Sequence, residues 1–358
     1  MCAACWETRQ SPVVAMPAVL RAAPVQPLSP NVTKIMSPDR NLPLPLRVLP
    51  HALLGAWLLT ANPAQADENL WIYTRSADTM PEGAVELKVS DVFRTGKNSG
   101  DYAFHDIRFE AEYGLTSRLT LMAEALVFDH DYSVLDPDLQ PMFDSQGGEG
   151  GRFRDTQFAG FELGAKYNVL STYKDPVGLA FSFTFEHRSR YRLDGADIDQ
   201  DSFVVQTYLQ KNFLENTLIF ALSPKIEFER RKSPGVLEEE IAFDFAAGVS
   251  YRFRPNWNVG LEFRHQSDYL NPQEDGEFNA ELDRSSFDLT DFRVGSQHQR
   301  GNYFGPTLHY ASREWWVTGG ILWQIRGGGS PFSYSRDHRN WDEHERRHIG
   351  LTVGFEFE

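Results

Sequence analysis

Hydrophobic and polar residues alternate with a period of two along most of the chain. In the last segment, Ile349, Leu351, Val353, Phe355 and Phe357 alternate with small or polar residues. Such alternation predicts β-strands that have one apolar and one polar face. The pattern recurs in twelve segments, which span residues 84–95, 102–113, 118–128, 156–168, 177–190, 202–211, 217–231, 239–253, 257–268, 302–311, 314–326 and 345–357.

The connections between these segments alternate between short and long. Long polar loops are predicted near residues 96–101, 129–155, 191–201, 232–238, 269–301 and 327–343. Outer-membrane barrels have short periplasmic turns, longer outer loops and an even number of strands. The chain is therefore predicted to be all-β, a transmembrane antiparallel up-and-down β-barrel of about 12 strands, with 10 or 14 as alternatives. Because Pro306 has no backbone N–H, we expect a bulge or an irregular edge in the tenth segment.

A soluble β-sandwich would also show alternating faces, with the apolar face turned inward. Three features favour the membrane barrel. Aromatic residues, which make up 13% of the chain, crowd the ends of the apolar faces as interfacial girdles do. The connections alternate in length, and the N-terminus has the features of an export signal.

Residues 1–66 are typical of a signal peptide or leader. Arg40 and Arg47 precede an apolar stretch, and Ala64-Gln65-Ala66 has the pattern of a signal peptidase site. We expect Sec-type export, cleavage near Ala66-Asp67 and a location in the bacterial outer membrane. Met36 is an alternative start.

Two regions remain after cleavage. Residues 67–83 are predicted to be a periplasmic N-terminal lead-in, with a partial plug as the alternative, and residues 84–358 to be the barrel. Removing the leader leaves 30 basic and 48 acidic residues, so the net charge changes from −15 to −18. This charge argues against nucleic acid as a partner. Cys2 and Cys5, the two cysteines of the chain, lie in the leader, which suits export to an oxidising compartment.

The stretch from Asp67-Glu68-Asn69-Leu70 to Glu110-Ala111-Glu112-Tyr113-Gly114-Leu115-Thr116 resembles an uncharacterised family of proteobacterial outer-membrane proteins. This resemblance covers the whole mature chain and implies an outer-membrane barrel without an established activity. The last strand is similar to the assembly signal of outer-membrane proteins, although Glu358 follows the terminal Phe357. The resemblance implies the barrel-assembly machinery as a partner, together with outer-membrane lipid and lipopolysaccharide.

A zinc-protease motif, H-E-x-x-H, is present at His344-Glu345-Arg346-Arg347-His348. In proteases the two histidines share one face of a helix. Here the motif begins a predicted strand, where residues four apart are separated by about 13 Å. A cluster of polar residues at the outer rim is therefore the favoured interpretation.

The segment His265-Gln266-Ser267 resembles part of outer-membrane phospholipase A. The resemblance implies Ser267 as nucleophile and His265 as its base, both facing the lipid. The sequence identifies no counterpart for the Asn that orients the His in that family. A lipid hydrolase is therefore an alternative function, and an enzyme is the less favoured interpretation.

Acidic residues recur at Asp194, Asp197, Asp199 and Asp201 in one predicted loop. Carboxylate oxygens suit Ca²⁺ or Mg²⁺, so a loop-bound divalent cation is an alternative to a solvated anionic surface. No other cofactor is expected.

The polar strand faces predict a charged lumen. The side chains placed there are Glu86, Lys88, Asp106, Arg108, Glu110, Glu112, Glu124, Glu162, Lys166, Glu186, Arg188, Lys225, Glu227, Glu229, Asp244, Arg252, Glu262 and Arg264. Fixed charges of both signs suit a narrow channel or passive transporter for small polar or charged solutes. A closed structural or adhesive barrel is a further alternative, because the width of a twelve-stranded lumen lies between a packed interior and an open pore.

Overall fold

The structure is a computed structural model that describes residues 69–98, 100–133, 152–233, 236–274, 277–278, 296–329 and 338–357. These residues belong to one compact unit. No helix among them is long and apolar enough to span a membrane.

Twelve long antiparallel strands form a closed barrel. They are β1 (Val85–Thr95), β2 (Asp101–Thr116), β3 (Leu119–Ser133), β4 (Arg152–Leu170), β5 (Gly178–Arg190), β6 (Asp197–Phe213), β7 (Leu218–Ser233), β8 (Val236–Arg254), β9 (Trp257–Glu274), β11 (Ser296–Ala311), β12 (Trp315–Gly329) and β13 (Arg347–Phe357). A two-residue strand, β10 (Glu277–Phe278), pairs only with the tip of β9. Each long strand pairs with the next, and β13 closes the barrel on β1, where Phe357 pairs with Val85.

The predicted fold class is confirmed, and each of the twelve predicted segments corresponds to a barrel strand. The strands extend further than predicted at the end with the long loops, which we call the loop end. The other end, where short turns join the strands and where β1 begins, is the turn end. The long loop predicted over residues 232–238 is wrong, because β7 and β8 continue to residues 233 and 236. Within this extension Lys232 pairs in register with Leu237, and Ser233 with Val236.

The two strand faces point as the alternation predicts. Phe109, Leu121 and Phe183 are exposed on the outer wall, whereas Glu186 and Lys88 are buried inside. Pro306 interrupts the sheet as expected: neither it nor Gly305 has a partner residue on β12.

Residues 69–84, which we call the luminal segment, begin inside the barrel and end at its turn end, where Glu82 and Gly83 are exposed. The sequence predicts a periplasmic lead-in or a partial plug for residues 67–83, and residues 69–83 partly fill the lumen. Met80 N–H donates to the Thr120 hydroxyl (2.9 Å) and Ala77 N–H to the Gln210 side chain (3.1 Å). Backbone groups of the segment thus find partners on the barrel wall, as buried backbone groups require.

Glycines in the wall make room for the luminal segment. A Cβ atom at Gly248 would lie 2.4 Å from the indole of Trp71, and one at Gly350 would lie 2.6 Å from the side chain of Ile72. Real Cβ contacts are not this short, so any larger residue at either position would displace the segment. Because these two glycines have no side chain, the luminal segment can pack directly against the barrel wall.

Candidate functional site

Polar cavities lie inside the barrel. One, of about 190 Å³, lies beside the luminal segment, and another, of about 120 Å³, lies toward the loop end. Their walls are mainly charged. Of the eighteen charged side chains that the sequence places in the lumen, fourteen line these cavities, namely Asp106, Arg108, Glu110, Glu112, Glu124, Glu162, Lys166, Glu186, Arg188, Lys225, Glu227, Glu229, Asp244 and Arg264.

The other four occupy different places. Glu86 and Lys88 are buried within the barrel and form an ion pair of 3.4 Å. Glu262 is fully buried against the luminal segment. Arg252 lies near the turn end, where it donates to the backbone oxygen of Glu215 at 3.5 Å, and it lines neither cavity.

A layer of charged side chains lies between the two cavities and lines both. Its members are Arg94, Arg192, Lys225, Glu227, Asp244 and Arg264. Arg264 binds Asp244 through Nη2 and Oδ2 at 2.5 Å, and Lys225 binds Glu227 at 3.0 Å. These ion pairs therefore form part of the wall of both cavities.

Glu262 holds the luminal segment in the lumen. Its carboxylate accepts hydrogen bonds from the backbone N–H groups of Ile72 (3.0 Å), Tyr73 (2.9 Å) and Thr74 (2.6 Å), and from the Thr74 hydroxyl (2.8 Å). The guanidinium of Arg264 lies 3.6 Å from the centre of the Tyr73 ring. The sequence predicts Glu262 as a luminal charge but gives no sign of this partner, which lies about 190 residues earlier in the chain.

Four glutamates form a row across the wall. Glu110 on β2 pairs directly with Glu124 on β3, Glu124 with Glu162 on β4, and Glu162 with Glu186 on β5. All four line the larger cavity. Sequence reasoning places each of them in the lumen, but their alignment depends on strand register. We call Glu110, Glu124, Glu162 and Glu186 the glutamate row.

Two loops narrow the lumen at the loop end. Residues 191–196, between β5 and β6, accept hydrogen bonds on Leu193 from the Tyr102 hydroxyl (2.8 Å) and on Asp194 from the Tyr132 hydroxyl (3.1 Å). Residues 338–346, before β13, are held by Gln324, which donates to the backbone oxygen of Asn340 at 2.6 Å. Both loops contribute side chains to the smaller cavity.

The H-E-x-x-H residues lie inside the barrel at the loop end, and His344, Glu345 and His348 are all buried. Glu345 binds Lys97 at 2.9 Å and lies 3.2 Å from Nε2 of His348. Burial lowers the pKa of His344 to about 3, so this side chain is neutral at physiological pH. No group of three or more potential metal ligands occurs among the residues that the structure describes. These residues instead join the outer loop to the wall.

The four aspartates of the predicted cation loop are not in one loop. Asp194 is buried and accepts a hydrogen bond from the Ala196 N–H at 2.9 Å. Asp197, Asp199 and Asp201 lie at alternate positions of β6. All three carboxylates are exposed. That of Asp197 pairs with Arg190, that of Asp199 with Lys232 and that of Asp201 with His187.

His265 and Ser267 lie at alternate positions of β9, away from the luminal Glu262 and Arg264. His265 Nδ1 is 2.5 Å from Oδ1 of Asn302, which pairs with it on β11. Because a carbonyl oxygen only accepts, Nδ1 of His265 donates in this hydrogen bond. The Ser267 hydroxyl is buried and has no hydrogen-bond partner in the described part of the chain. Asn302 is 37 residues beyond His265, which is why the sequence did not identify it.

The sequence matches the family of unknown function DUF6662 over residues 63–357. The chain belongs to this family. A comparison with curated proteins finds no significant match. The outer-membrane channel COG4313 from Pseudomonas putida F1 is similar in structure to this DUF6662 protein, with 14% identity and a TM-score of 0.53, covering 78% of this chain and 98% of that one. This likeness shows that the fold is that of an outer-membrane barrel.

Two porins resemble the DUF6662 chain more distantly. The NanC porin has 10% identity and a TM-score of 0.41 over 75% of this chain and 98% of its own. The KdgM porin, in complex with disordered oligogalacturonate, has 10% identity and a TM-score of 0.39 over 77% of this chain and 99% of its own.

Proposed function

We propose that this protein is a narrow outer-membrane channel for small polar or charged solutes, inserted after export and cleavage near Ala66-Asp67. The observation that supports it best is the pair of polar cavities, of about 190 and 120 Å³, walled by charged side chains along the barrel. An interior filled by apolar side chains would serve a structural barrel equally well. Charged side chains around water-sized spaces suit the passage of hydrated or polar solutes.

The luminal segment is the gate of this proposed channel. Four of its hydrogen bonds go to one carboxylate, that of Glu262, and others go to Ser223, Gln210 and Thr120. Hydrogen bonds to a charged group contribute about 1.5–3 kcal/mol each. Withdrawal of the segment toward the turn end would enlarge the larger cavity and join it to the periplasm.

Conductance in planar bilayers tests the proposal. The mature protein is expected to give brief, small conductance steps, and the Glu262→Gln variant longer openings, because an amide offers one acceptor oxygen in place of two. Glu314→Gln, a change to an exposed carboxylate at the turn end, is the matched control and should behave as the unmodified protein. A folded barrel that conducts in none of the three forms would contradict the channel and favour a closed structural barrel.

The contact between Asn302 and His265 favours a second candidate, a hydrolase of ester lipids. In such a reaction the Ser267 oxygen attacks the ester carbonyl while His265 Nε2 takes the hydroxyl proton. The same proton then passes to the leaving alcohol, and water hydrolyses the acyl-serine. Asn302 would keep the His265 ring in the orientation and tautomer that this reaction needs.

Release of fatty acid from phospholipid micelles by the mature protein tests this candidate. Ser267→Ala should abolish release, and Asn302→Ala should lower it about 100-fold or more, because the imidazole loses its orientation. Ser189→Ala on β5, a change to a half-buried serine of another strand, should leave release unchanged. Equal activity in the Ser267→Ala protein, or none in the unmodified one, would exclude the hydrolase.

A further inference from the structure

The glutamate row breaks a rule of sheet stability. Side chains directly opposite on neighbouring strands have Cβ atoms about 5 Å apart, and like charges at such positions are destabilising. Here three successive cross-strand pairs each join two glutamates. A local conflict of this kind is expected where a site has a function beyond holding the fold together.

Few cations compensate the row. Arg108 lies at its middle, 2.8 Å from Glu124, 3.7 Å from Glu162 and 3.9 Å from Glu186. Lys88 contacts Glu110 at 3.2 Å, but it is shared with Glu86 and Glu112. Arg108 is in turn shared with Asp106 at 3.0 Å. Arg188 binds Glu186 at 2.6 Å, but it is shared with Glu229 at 3.2 Å and Glu227 at 3.9 Å. Carboxylates thus outnumber the cations on this side of the larger cavity.

The luminal segment places one more cation in this cavity. The backbone of Arg75 is fixed by Ser223, whose hydroxyl accepts from the Arg75 N–H and donates to the Arg75 carbonyl, both at 3.0 Å. The side chain lines the cavity that contains the glutamate row. Among the described residues, the Arg75 guanidinium forms no hydrogen bond and no ion pair within 4.0 Å, so no salt bridge fixes its position.

The charges that act on Arg75 come from the row and its neighbour. Burial lowers the pKa of Arg75, but the carboxylates of Glu110, Glu124 and Glu112 outweigh burial and raise it above its ordinary value. A guanidinium on a displaceable segment therefore lies loosely in an acidic cavity. It occupies the place that a free cation would take after the segment withdraws.

We propose that the channel is selective for small organic cations that carry a guanidinium or ammonium group, and that Arg75 stands in for the solute in the closed state. The proposal rests on the channel function above and names its substrate class. The glutamate row supplies the negative potential that concentrates cations at the wall. Withdrawal of the luminal segment removes Arg75, so the open lumen is more acidic than the closed one.

The reversal potential of the mature protein in a potassium chloride gradient tests the selectivity. We expect potassium to be favoured over chloride roughly tenfold, as expected for a narrow lumen lined by one sign of charge. The double change Glu124→Gln and Glu162→Gln should bring the ratio close to one, whereas Glu215→Gln, in a turn at the turn end, should not change it. Guanidinium chloride should carry current as potassium chloride does.

The results of this experiment distinguish failure of the proposed cation selectivity from failure of the proposed channel function. Conductance with chloride favoured, or a ratio that the double change leaves intact, would overturn the cation selectivity and leave the channel standing. Absence of conductance in every variant would overturn both.

The proposed role of Arg75 as a stand-in for the solute is tested by substitutions of Arg75 itself. Arg75→Gln should raise the open fraction and let guanidinium enter at lower concentrations, whereas Arg75→Lys should retain most of the closed-state behaviour. Arg118→Gln, in the β2–β3 turn, is the control for loss of one basic residue. An Arg75→Gln channel that matches the unmodified protein in both respects would show that Arg75 does not stand in for the solute.

Discussion

The hydroxyl of Tyr73 lies 2.8 Å from Nδ1 of His348. On its other side, His348 Nε2 lies 3.2 Å from Glu345, which binds Lys97. Because a carboxylate only accepts, His348 donates through Nε2 and accepts the Tyr73 proton through Nδ1. One imidazole therefore joins the luminal segment, which enters from the turn end, to the loop that covers the loop end.

Loss of this hydrogen bond should loosen the luminal segment. Tyr73→Phe removes the donor and leaves Nδ1 of buried His348 without a partner, which costs about 1 kcal/mol or more. Residues 67–358 contain no cysteine, so Ser76→Cys in this part of the chain provides a single thiol within the segment. We expect this thiol to react with a maleimide about fivefold faster in the Tyr73→Phe background. Tyr310→Phe, on β11, should leave the rate unchanged, and an equal rate in the Tyr73→Phe protein would contradict the coupling.

A methyl group at Gly248 should displace the luminal segment. The added Cβ of Gly248→Ala would lie 2.4 Å from Trp71, whereas that of Gly319→Ala has its nearest neighbour at 3.8 Å. Both changes put alanine in a strand, but only the first meets the segment. Faster labelling of Ser76→Cys is therefore expected with Gly248→Ala and not with Gly319→Ala. Equal rates in the two would show that the indole does not hold the segment.

Arg108 should be needed for the stability of the barrel. Removing one partner of a buried ion-pair network typically costs about 3–5 kcal/mol, because the remaining charges lose their compensation. Arg108→Gln should lower the urea midpoint of unfolding in detergent micelles strongly, and Arg108→Lys should lower it less. Arg118→Gln, on the surface, is expected to change stability by less than about 0.5 kcal/mol. A small effect at Arg108 would mean that the glutamate row is already neutralised by other means.

The buried His344 should make stability depend on pH. Its pKa is about 3 in the fold and 6.5 when unfolded, so the unfolded chain binds the proton more readily. The stability that neutral His344 contributes is complete above pH 6.5 and is lost as pH falls below that value. Between pH 7 and pH 5 the unmodified protein should lose about 2 kcal/mol more than a His344→Gln variant, measured by urea unfolding. Equal losses in the two proteins would show that His344 is accessible to solvent.

The sequence predicted the barrel well because strand alternation is local information. Residues such as Leu351 and Phe355 reveal their common face within a few positions of each other. The extension of β7 and β8 was missed because Lys232 and Ser233, followed by Pro234 and Gly235, are typical of a loop until the pairing of residues 232–233 with residues 236–237 across the hairpin is known.

The site depends on contacts that are not local. The alignment of Glu124 with Glu162 requires the register of two strands joined by a long connection. The partners of Glu262 lie in the luminal segment, which the sequence allowed to be either a periplasmic lead-in or a partial plug. Asn302 faces His265 only because β11 follows β9 in the barrel. Side-chain types could be read from the sequence, but their neighbours could not.

The position of the luminal segment in the chain has a consequence for assembly. Residues 69–84 are synthesised before all of the barrel strands, yet Tyr73 and His348 are 275 positions apart. Contacts between such distant residues form slowly, because the intervening chain must first be ordered. The lumen is therefore expected to stay unobstructed until the last strands are in place, and the luminal segment is among the final parts of the molecule to be ordered.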